Sequence, residues 1–388
     1  MKIAIFSDTF PPQTNGVANI AYYSAKELAN LGHDVFVFTV LPKNKNQKNT
    51  AYENITVITL PSIPAMIYPN ERFTLPLGFS LRKLKKIKPD IIHTHTPLSV
   101  GTEAVLAAKL FKIPLIGTHH TFYDHYLKYL KMDHNLGKKI SWRLTAGYYN
   151  RCDLVLSPSL SLAEALKTSG LKRPIEIIQN FVDIDIFQPS NDADNKNKLK
   201  EKFGIKDKSI TYMGRLGYEK SIDQIIRAFA LMLKELPDLT LMLIGDGPER
   251  ANLEKLAENL RIQKNVIFTG FLYKEELARA LQANEVFLTA SKSENLPLSI
   301  LEAMAVALPV VSVKENGLAE LTKENINGFF AKTDNPEDLA QKTLTILRNQ
   351  KMKDEFGRAS RQIAEKHSLK KIVSLMENAY KKLIKEKS

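Results

Sequence analysis

The stretch Ser209-Ile210-Thr211-Tyr212-Met213-Gly214-Arg215-Leu216-Gly217-Tyr218-Glu219-Lys220 runs an apolar, β-prone segment into a glycine-bearing loop carrying two cations. Such a strand-to-loop step opens a βαβ unit. The same alternation continues at Thr240 to Ile244, Val266-Ile267-Phe268, Val286-Phe287-Leu288 and Val310-Val311-Ser312. Apolar, β-branched runs separated by helix-length segments predict a parallel sheet covered on both faces. Before residue 209 an equivalent series already exists. It runs through Lys2 to Phe6, a helix from Val17 to Leu31, Asp34 to Thr39, Ile55 to Leu60, Ile91 to Thr94, Leu115 to Thr118, Leu154 to Leu156 and Ile175 to Ile178. The fold class predicted is therefore α/β, with two doubly wound Rossmann-like domains in series. The polar stretch from Gln188 to Asp207 reads as the join. The expected division is 1–187 for the first domain, 188–207 for a linker leading into a short helix, and 208–365 for the second domain. Residues 366–388 form a Lys-rich helix expected to pack toward the N-terminal domain.

A chain of 388 residues exceeds what one hydrophobic core usually organises, which independently favours two domains. Its hydrophobic fraction of 44% and charged fraction of 25% are those of ordinary globular proteins. Cys152 is the single cysteine, so neither an intramolecular disulfide nor a thiol metal site is expected, and a reducing compartment fits. The run Met1 to Phe6 is too short for a signal h-region, and no segment approaches the ~18 apolar residues of a membrane span. The formal charge of +13 permits an acidic partner without choosing among nucleic acid, phosphorylated small molecule and anionic lipid.

Two constellations carry chemistry. The loop after Met213 places Arg215 and Lys220 at a strand's C-terminal end, where open α/β sheets bind ligands and glycines admit an anion. The pair reads equally as a diphosphate clamp or as a solvated loop with two surface charges. In Ser293-Glu294-Asn295-Leu296-Pro297-Leu298-Ser299-Ile300-Leu301-Glu302, Glu294 sits in a loop and Glu302 inside the helix that follows. Two carboxylates so spaced suit hydroxyls at separate points of one extended ligand, or else a capping carboxylate and a surface glutamate.

In combination, and in this order, the motifs resemble those of the GT-B retaining glycosyltransferases called glycosyltransferase family four. These show Gly-Arg-Leu-x-x-Glu-Lys followed by two glutamates separated by seven residues. The likeness extends over almost the whole chain, through Pro11-Pro12, Asn15-Gly16-Val17, Asp90 to His95, Ile244 to Pro248 and Leu308 to Val311. It implies two Rossmann-like domains facing across a cleft. It also implies that Arg215 and Lys220 neutralise the donor diphosphate, Glu302 holds the ribose hydroxyls and Glu294 the donor sugar. Asn295 and Leu298 lie among the donor-binding residues, and Gly16 admits backbone amides toward the diphosphate. Catalytic roles fall to His120, Glu294, Arg215 and Lys220. The resemblance implies a UDP-sugar as substrate, no tightly bound cofactor and no metal for the donor phosphates. Retention is expected by front-face attack, the leaving phosphate taking the proton. Two positions depart from the family pattern: Pro297 stands where relatives often have glycine and offers no N–H, and Ala307 replaces a common glycine before Leu-Pro.

Six of the eight histidines fall between His93 and His134. Their spacing matches no helix-borne zinc motif. Within Gly117 to Tyr126, His120 aligns with the family histidine that touches the donor sugar, and the others are expected to be structural.

Two stretches mix cations with apolar residues. Pro69 to Lys88 holds Arg72, Arg82, Lys83, Lys85 and Lys86 among Phe73, Leu75, Leu77, Phe79, Leu81 and Leu84. Tyr126 to Arg151 holds Lys128, Lys131, Lys138, Lys139 and Arg143 among Tyr129, Leu130, Leu136, Ile140 and Trp142. Either suits an interfacial helix on an anionic membrane or a core-packed helix with a charged outer side. Local likeness in 95–101 and 118–129 points to bacterial diacylglycerol glucosyltransferases. The expected partners are thus a nucleotide sugar, a lipid acceptor and an anionic membrane surface, with the protein cytoplasmic and peripheral on the inner face of the cell membrane. A phosphatidylinositol mannosyl transfer, or a soluble or polysaccharide acceptor, is the competing expectation. A nucleic-acid partner is not expected, since neither a stacking platform nor a recognition helix is evident. The first loop, Ser7 to Pro12, lacks the Gly-x-Gly-x-x-Gly of a dinucleotide enzyme.

Overall fold

The computed structural model describes residues 1–13, 15–40, 52, 54–64, 72–97, 99–120, 134–190, 192–315 and 317–387. His125, residues 126–133 of the second mixed stretch, residues 69–71 of the first and Thr14 of the first loop lie outside them. The chain divides into two compact units, Met1–Asn180 with Leu369–Ser388, and Phe181–Ser368. The join thus precedes Gln188, and the Gln188 to Asp207 segment belongs to the second unit.

The first unit contains β1 (Lys2–Phe6), α1 (Gly16–Asn30), β2 (Asp34–Val40), β3 (Ile55–Leu60), β4 (Ile63–Pro64), β5 (Arg72–Phe73), α2 (Leu81–Ile87), β6 (Ile91–Thr94), α3 (Ser99–Phe111), β7 (Leu115–Thr118), α4 (Asn135–Tyr149), β8 (Leu154–Ser157), α5 (Leu160–Thr168) and β9 (Ile175–Ile177). Its seven-stranded sheet has the order β3-β2-β1-β6-β7-β8-β9, and each pairing in it is parallel. The order reverses between β1 and β6, where loops after both strands emerge on the same edge of the sheet. Every residue of β6, β7 and β8 is buried, as a doubly covered parallel sheet requires. The Phe6 and Phe38 rings stack at 4.6 Å between centroids in its core.

The second unit begins its helices with α6 (Ala193–Phe203). It continues through β10 (Ser209–Met213), α7 (Ile222–Met232), β11 (Thr240–Ile244), α8 (Arg250–Asn259), β12 (Val266–Gly270), α9 (Lys274–Gln282), β13 (Val286–Thr289), α10 (Leu298–Ala305), β14 (Val310–Val313), α11 (Leu318–Leu321), β15 (Gly328–Ala331), α12 (Pro336–Arg348) and α13 (Gln350–Lys366). The six strands run β12-β11-β10-β13-β14-β15, all parallel, and the order reverses between β10 and β13. Side chains alternate across this sheet. Ile210, Tyr212, Leu241 and Leu243 join α7, α8 and α12 on one face, while Met213, Met242 and Ile244 join α9 and α10 on the other. The strand β15 was not among those expected from sequence.

The last helix, α14 (Leu369–Lys387), belongs to the first unit and packs against α1. Its Tyr380 hydroxyl lies 2.5 Å from His93 Nδ1, and Glu377 lies 2.8 Å from His33 Nε2. Among the described residues no helix is long and apolar enough to cross a membrane.

Candidate active site

In the second unit the two chemistry-bearing segments follow β10 and β13, the strands that flank the reversal. Their loops are consequently neighbours although 74 residues separate their key side chains. Lys220 Nζ lies 2.7 Å from Glu294 Oε1. Both side chains are largely shielded, at 13% and 16% exposure, so the pair is stiffer than a surface contact. Ser293 Oγ, at 3.4 Å, donates to the Glu219 carbonyl and ties the loops a second time.

Backbone proximity explains the glycines here. A Cβ at Gly245, whose φ is +134°, would fall 2.0 Å from the Gly214 carbonyl oxygen, and one at Gly317 would fall 1.1 Å from that of Asn295. Any side chain at either position would force apart the loops that carry Arg215 and Asn295. Arg215 is exposed and Asn295 is buried. Leu298 opens α10 and is half-buried.

Pro297 occupies the N-cap position of α10, with φ −70° and ψ 130°. The donors a ligand would use at this end are the amides of Leu298, Ser299 and Ile300, one turn inside. The missing N–H of Pro297 therefore takes nothing from the helix terminus.

Glu302 lies on α10 and is half-buried as a residue. Burial pushes its pKa up from 4.5 to about 8. At neutral pH the carboxyl is mostly protonated, a group held ready for hydroxyl partners and costly to ionise without them. Ala307, the other departure from the family pattern, adopts φ +64°. It closes α10 as the left-handed residue of a Schellman motif, with Leu308 N–H donating to Ala303 O at 3.0 Å and Ala307 N–H to Met304 O at 2.9 Å.

The first unit holds the remaining expected residues. Gly16 starts α1 behind Asn15, whose side chain accepts from the Ala18 amide at 2.8 Å. A Cβ on Gly16 would meet nothing within 4 Å, so packing does not demand glycine there. His120 follows β7, is half-buried, and burial lowers its pKa to about 4. Its Nε2 lies 3.0 Å from Nδ1 of His95, a residue that sequence alone places among the structural histidines. The two-residue spacing of His93 and His95, which sets both on one side of the chain leaving β6, was the available signal.

His93, His119 and His134 each meet groups of the first unit. His93 Nε2 is 2.6 Å from Thr118 Oγ1. His119 packs between the Trp142 and Tyr149 rings. His134 caps α4 by accepting from the Gly137 amide.

Arg82, Lys83, Lys85 and Lys86 are all exposed on α2, with Leu84 alone buried beneath them. Leu75, Leu77 and Phe79 precede them and are also exposed. On α4 the exposed Leu136, Ile140 and Leu144 recur every fourth residue, with 64%, 43% and 71% exposure. Helical spacing places Lys139 and Arg143, also exposed, along one edge of that row. Among the described residues no group of three or more His, Cys, Asp or Glu side chains is arranged to hold a metal ion.

Comparison with known proteins joins these observations. Residues 14–186 match the family described as Glycosyltransferase Family 4, and residues 195–363 match Glycosyl transferases group 1. The chain is 34% identical over 333 residues to the α-monoglucosyldiacylglycerol synthase of Streptococcus pneumoniae, covering 84% of this chain and 74% of that protein. It is 28% identical to the enzyme of the same name from Acholeplasma laidlawii, covering 90% and 89%. A GDP-mannose-dependent α-mannosyltransferase of Corynebacterium glutamicum is 26% identical, covering 85% and 76%. Among solved structures, Anabaena HepE in complex with UDP-glucose superposes with a TM-score of 0.81 at 19% identity, covering 98% and 100%. With two Rossmann-like sheets and both family regions in sequence, the chain belongs to the family-four, group 1 glycosyltransferases of the GT-B fold.

Proposed function

We propose that this glycosyltransferase moves glucose from UDP-glucose to the free hydroxyl of diacylglycerol at an anionic membrane surface, giving a monoglucosyl diacylglycerol with retained configuration. The observation that carries the lipid acceptor is the solvent-facing apolar row of α4 edged by Lys139 and Arg143. It lies in the same unit as the cationic α2. A water-facing helix face of this composition suits an acyl boundary below anionic headgroups. The names of the two synthase relatives point to the same product class.

In this reading Lys220 keeps its contact with Glu294 and offers its other N–H donors to the donor diphosphate, with Arg215 adding a second cation. Glu294, fixed by that pair, accepts from the glucose hydroxyls. Glu302 takes the ribose hydroxyls, Asn295, Leu298 and Gly16 bring backbone close to the donor, and His120 contacts the sugar. As the bond from the anomeric carbon to the diphosphate oxygen breaks, the acceptor oxygen bonds to that carbon from the same face. The acceptor's proton passes to the leaving phosphate oxygen. The cations stabilise the charge on departing UDP, and no protein base takes part.

The mannosyltransferase relative supports a second donor, GDP-mannose. Radiolabelled UDP-glucose, UDP-galactose and GDP-mannose are therefore offered in mixed micelles of diacylglycerol and anionic lipid, with Glu294→Gln as control. A glucolipid formed from UDP-glucose and lost in Glu294→Gln is expected. Mannolipid alone would replace the donor, and no lipid product from any donor would remove the lipid acceptor.

A further inference from the structure

His95 and His120 meet edge to edge, Nδ1 to Nε2 at 3.0 Å, with ring planes only 10° apart. His95 is 1% exposed, its backbone amide is anchored to the Phe6 carbonyl at 2.8 Å, and its ring lies 4.2 Å from that of His93. Burial holds both pKa values below the usual histidine range, His120 at about 4. Two neutral imidazoles in contact share one hydrogen, and only two arrangements exist.

If the hydrogen sits on His120 Nε2, His95 must accept at Nδ1 and carry its own proton on Nε2. That nitrogen is buried and has no hydrogen-bond partner among the described residues. A buried N–H would then be orphaned, the rarer and costlier kind of unsatisfied group. If the hydrogen sits on His95 Nδ1, only a lone pair is left buried, and the proton of His120 is forced onto Nδ1.

We infer that His95 is a positioning residue that locks His120 in its Nδ1–H form, so that His120 meets the donor sugar as a hydrogen-bond donor to a sugar oxygen. The inference rests on the proposed contact between His120 and the sugar. It assigns the direction of that contact: oxygens with free lone pairs are favoured at this point of the donor, and groups that only donate are not.

The test uses the full chain with 15N-labelled histidine, long-range 1H–15N correlation spectra, and two replacements. Asparagine at 95 sets an amide N–H where Nδ1 was, whereas leucine supplies no donor. Wild type and His95→Asn are expected to show His120 protonated on Nδ1, and His95→Leu to show a shift toward Nε2–H. Turnover in His95→Leu should fall about 10- to 100-fold with the donor KM changed less, and His95→Asn should stay within about threefold of wild type. His120 protonated on Nε2 in wild type, or still on Nδ1 in His95→Leu, overturns the inference. Should His95→Leu fail to fold, the wild-type and His95→Asn spectra decide it. Full transfer by His120→Ala would instead sink the sugar contact while leaving the tautomer result standing, so the two failures are separable.

Discussion

Glu302 illustrates how one burial decision shapes both stability and binding. Unfolded, its carboxyl ionises near 4.5, whereas in the folded chain burial delays ionisation to about 8. The folded state therefore binds the extra proton between those values. Its stability falls as pH rises through that window and levels off above 8. Glu302→Gln removes the penalty, and denaturant unfolding should find the variant ahead by about 4 kcal/mol at pH 8 and near parity at pH 4.5. Binding carries the opposite slope. Ribose hydroxyls donating to the carboxylate favour its ionised form, so affinity for UDP-glucose should rise about three- to tenfold from pH 7 to 8.5 in wild type. Titration calorimetry showing a flat profile in wild type, or the same rise in Glu302→Gln, would remove the ribose role. Ala307 makes a second residue-scale case. Held at φ +64°, it bears the left-handed penalty of a Cβ, which glycine lacks. Ala307→Gly should raise unfolding stability by about 0.5–1 kcal/mol once glycine's extra unfolded-state entropy is subtracted, with activity unchanged.

Elements show what local sequence conveys. The long parallel strands were legible because burial on both faces leaves continuous apolar, β-branched runs. The strand β15 was not: Gly328-Phe329-Phe330-Ala331 has no β-branched residue and lies at a sheet edge. The two-residue pair β4 and β5 is too short to show any alternation, and α6 reads from sequence only as a short helix at the end of a linker because its composition is polar. The site was legible as residue types, since Arg215, Lys220, Glu294 and Glu302 stand in a recognisable order. The ion pair between Lys220 and Glu294 was not, because it arises from the adjacency of β10 and β13, a tertiary fact. The exposed row on α4 lies between these cases: its spacing was visible, its exposure was not. Ile140→Ser with Leu144→Ser removes two side chains worth about 1–2 kcal/mol each on partial insertion, so partition onto vesicles should drop at least about 30-fold at any salt concentration. Lys83, Lys85 and Lys86 replaced by serine should weaken binding only to anionic vesicles and only at low salt. Flotation assays that find neither variant altered would take both helices out of the membrane argument, and UDP-glucose affinity is expected to stay constant in each.

At the scale of the molecule, the chain leaves its first unit after Asn180, builds the second, and returns through α14. That return makes the first unit discontinuous in sequence, so part of its stability depends on residues that follow the whole of the second unit. Ile372, Val373, Met376, Ala379, Tyr380 and Leu383 are buried along α14, and Tyr380 meets His93 on the central strand β6. Removing residues 369–388 strips that apolar face and both histidine contacts from the first unit, while the second unit retains its own clusters and the buried helix contacts of α10 and α13. Hydrogen exchange of the truncated chain should show protection lost in β1, β6 and α1 and preserved in β10, β11 and β13. Tyr380→Phe is the gentler probe. It deletes one hydroxyl, leaves His93 Nδ1 buried without that partner, and should cost the first unit about 1–3 kcal/mol with no change in the second. Equal loss of protection in both sheets after truncation would mean that the two units unfold as one, and the dependence of the first unit on α14 would have to be abandoned.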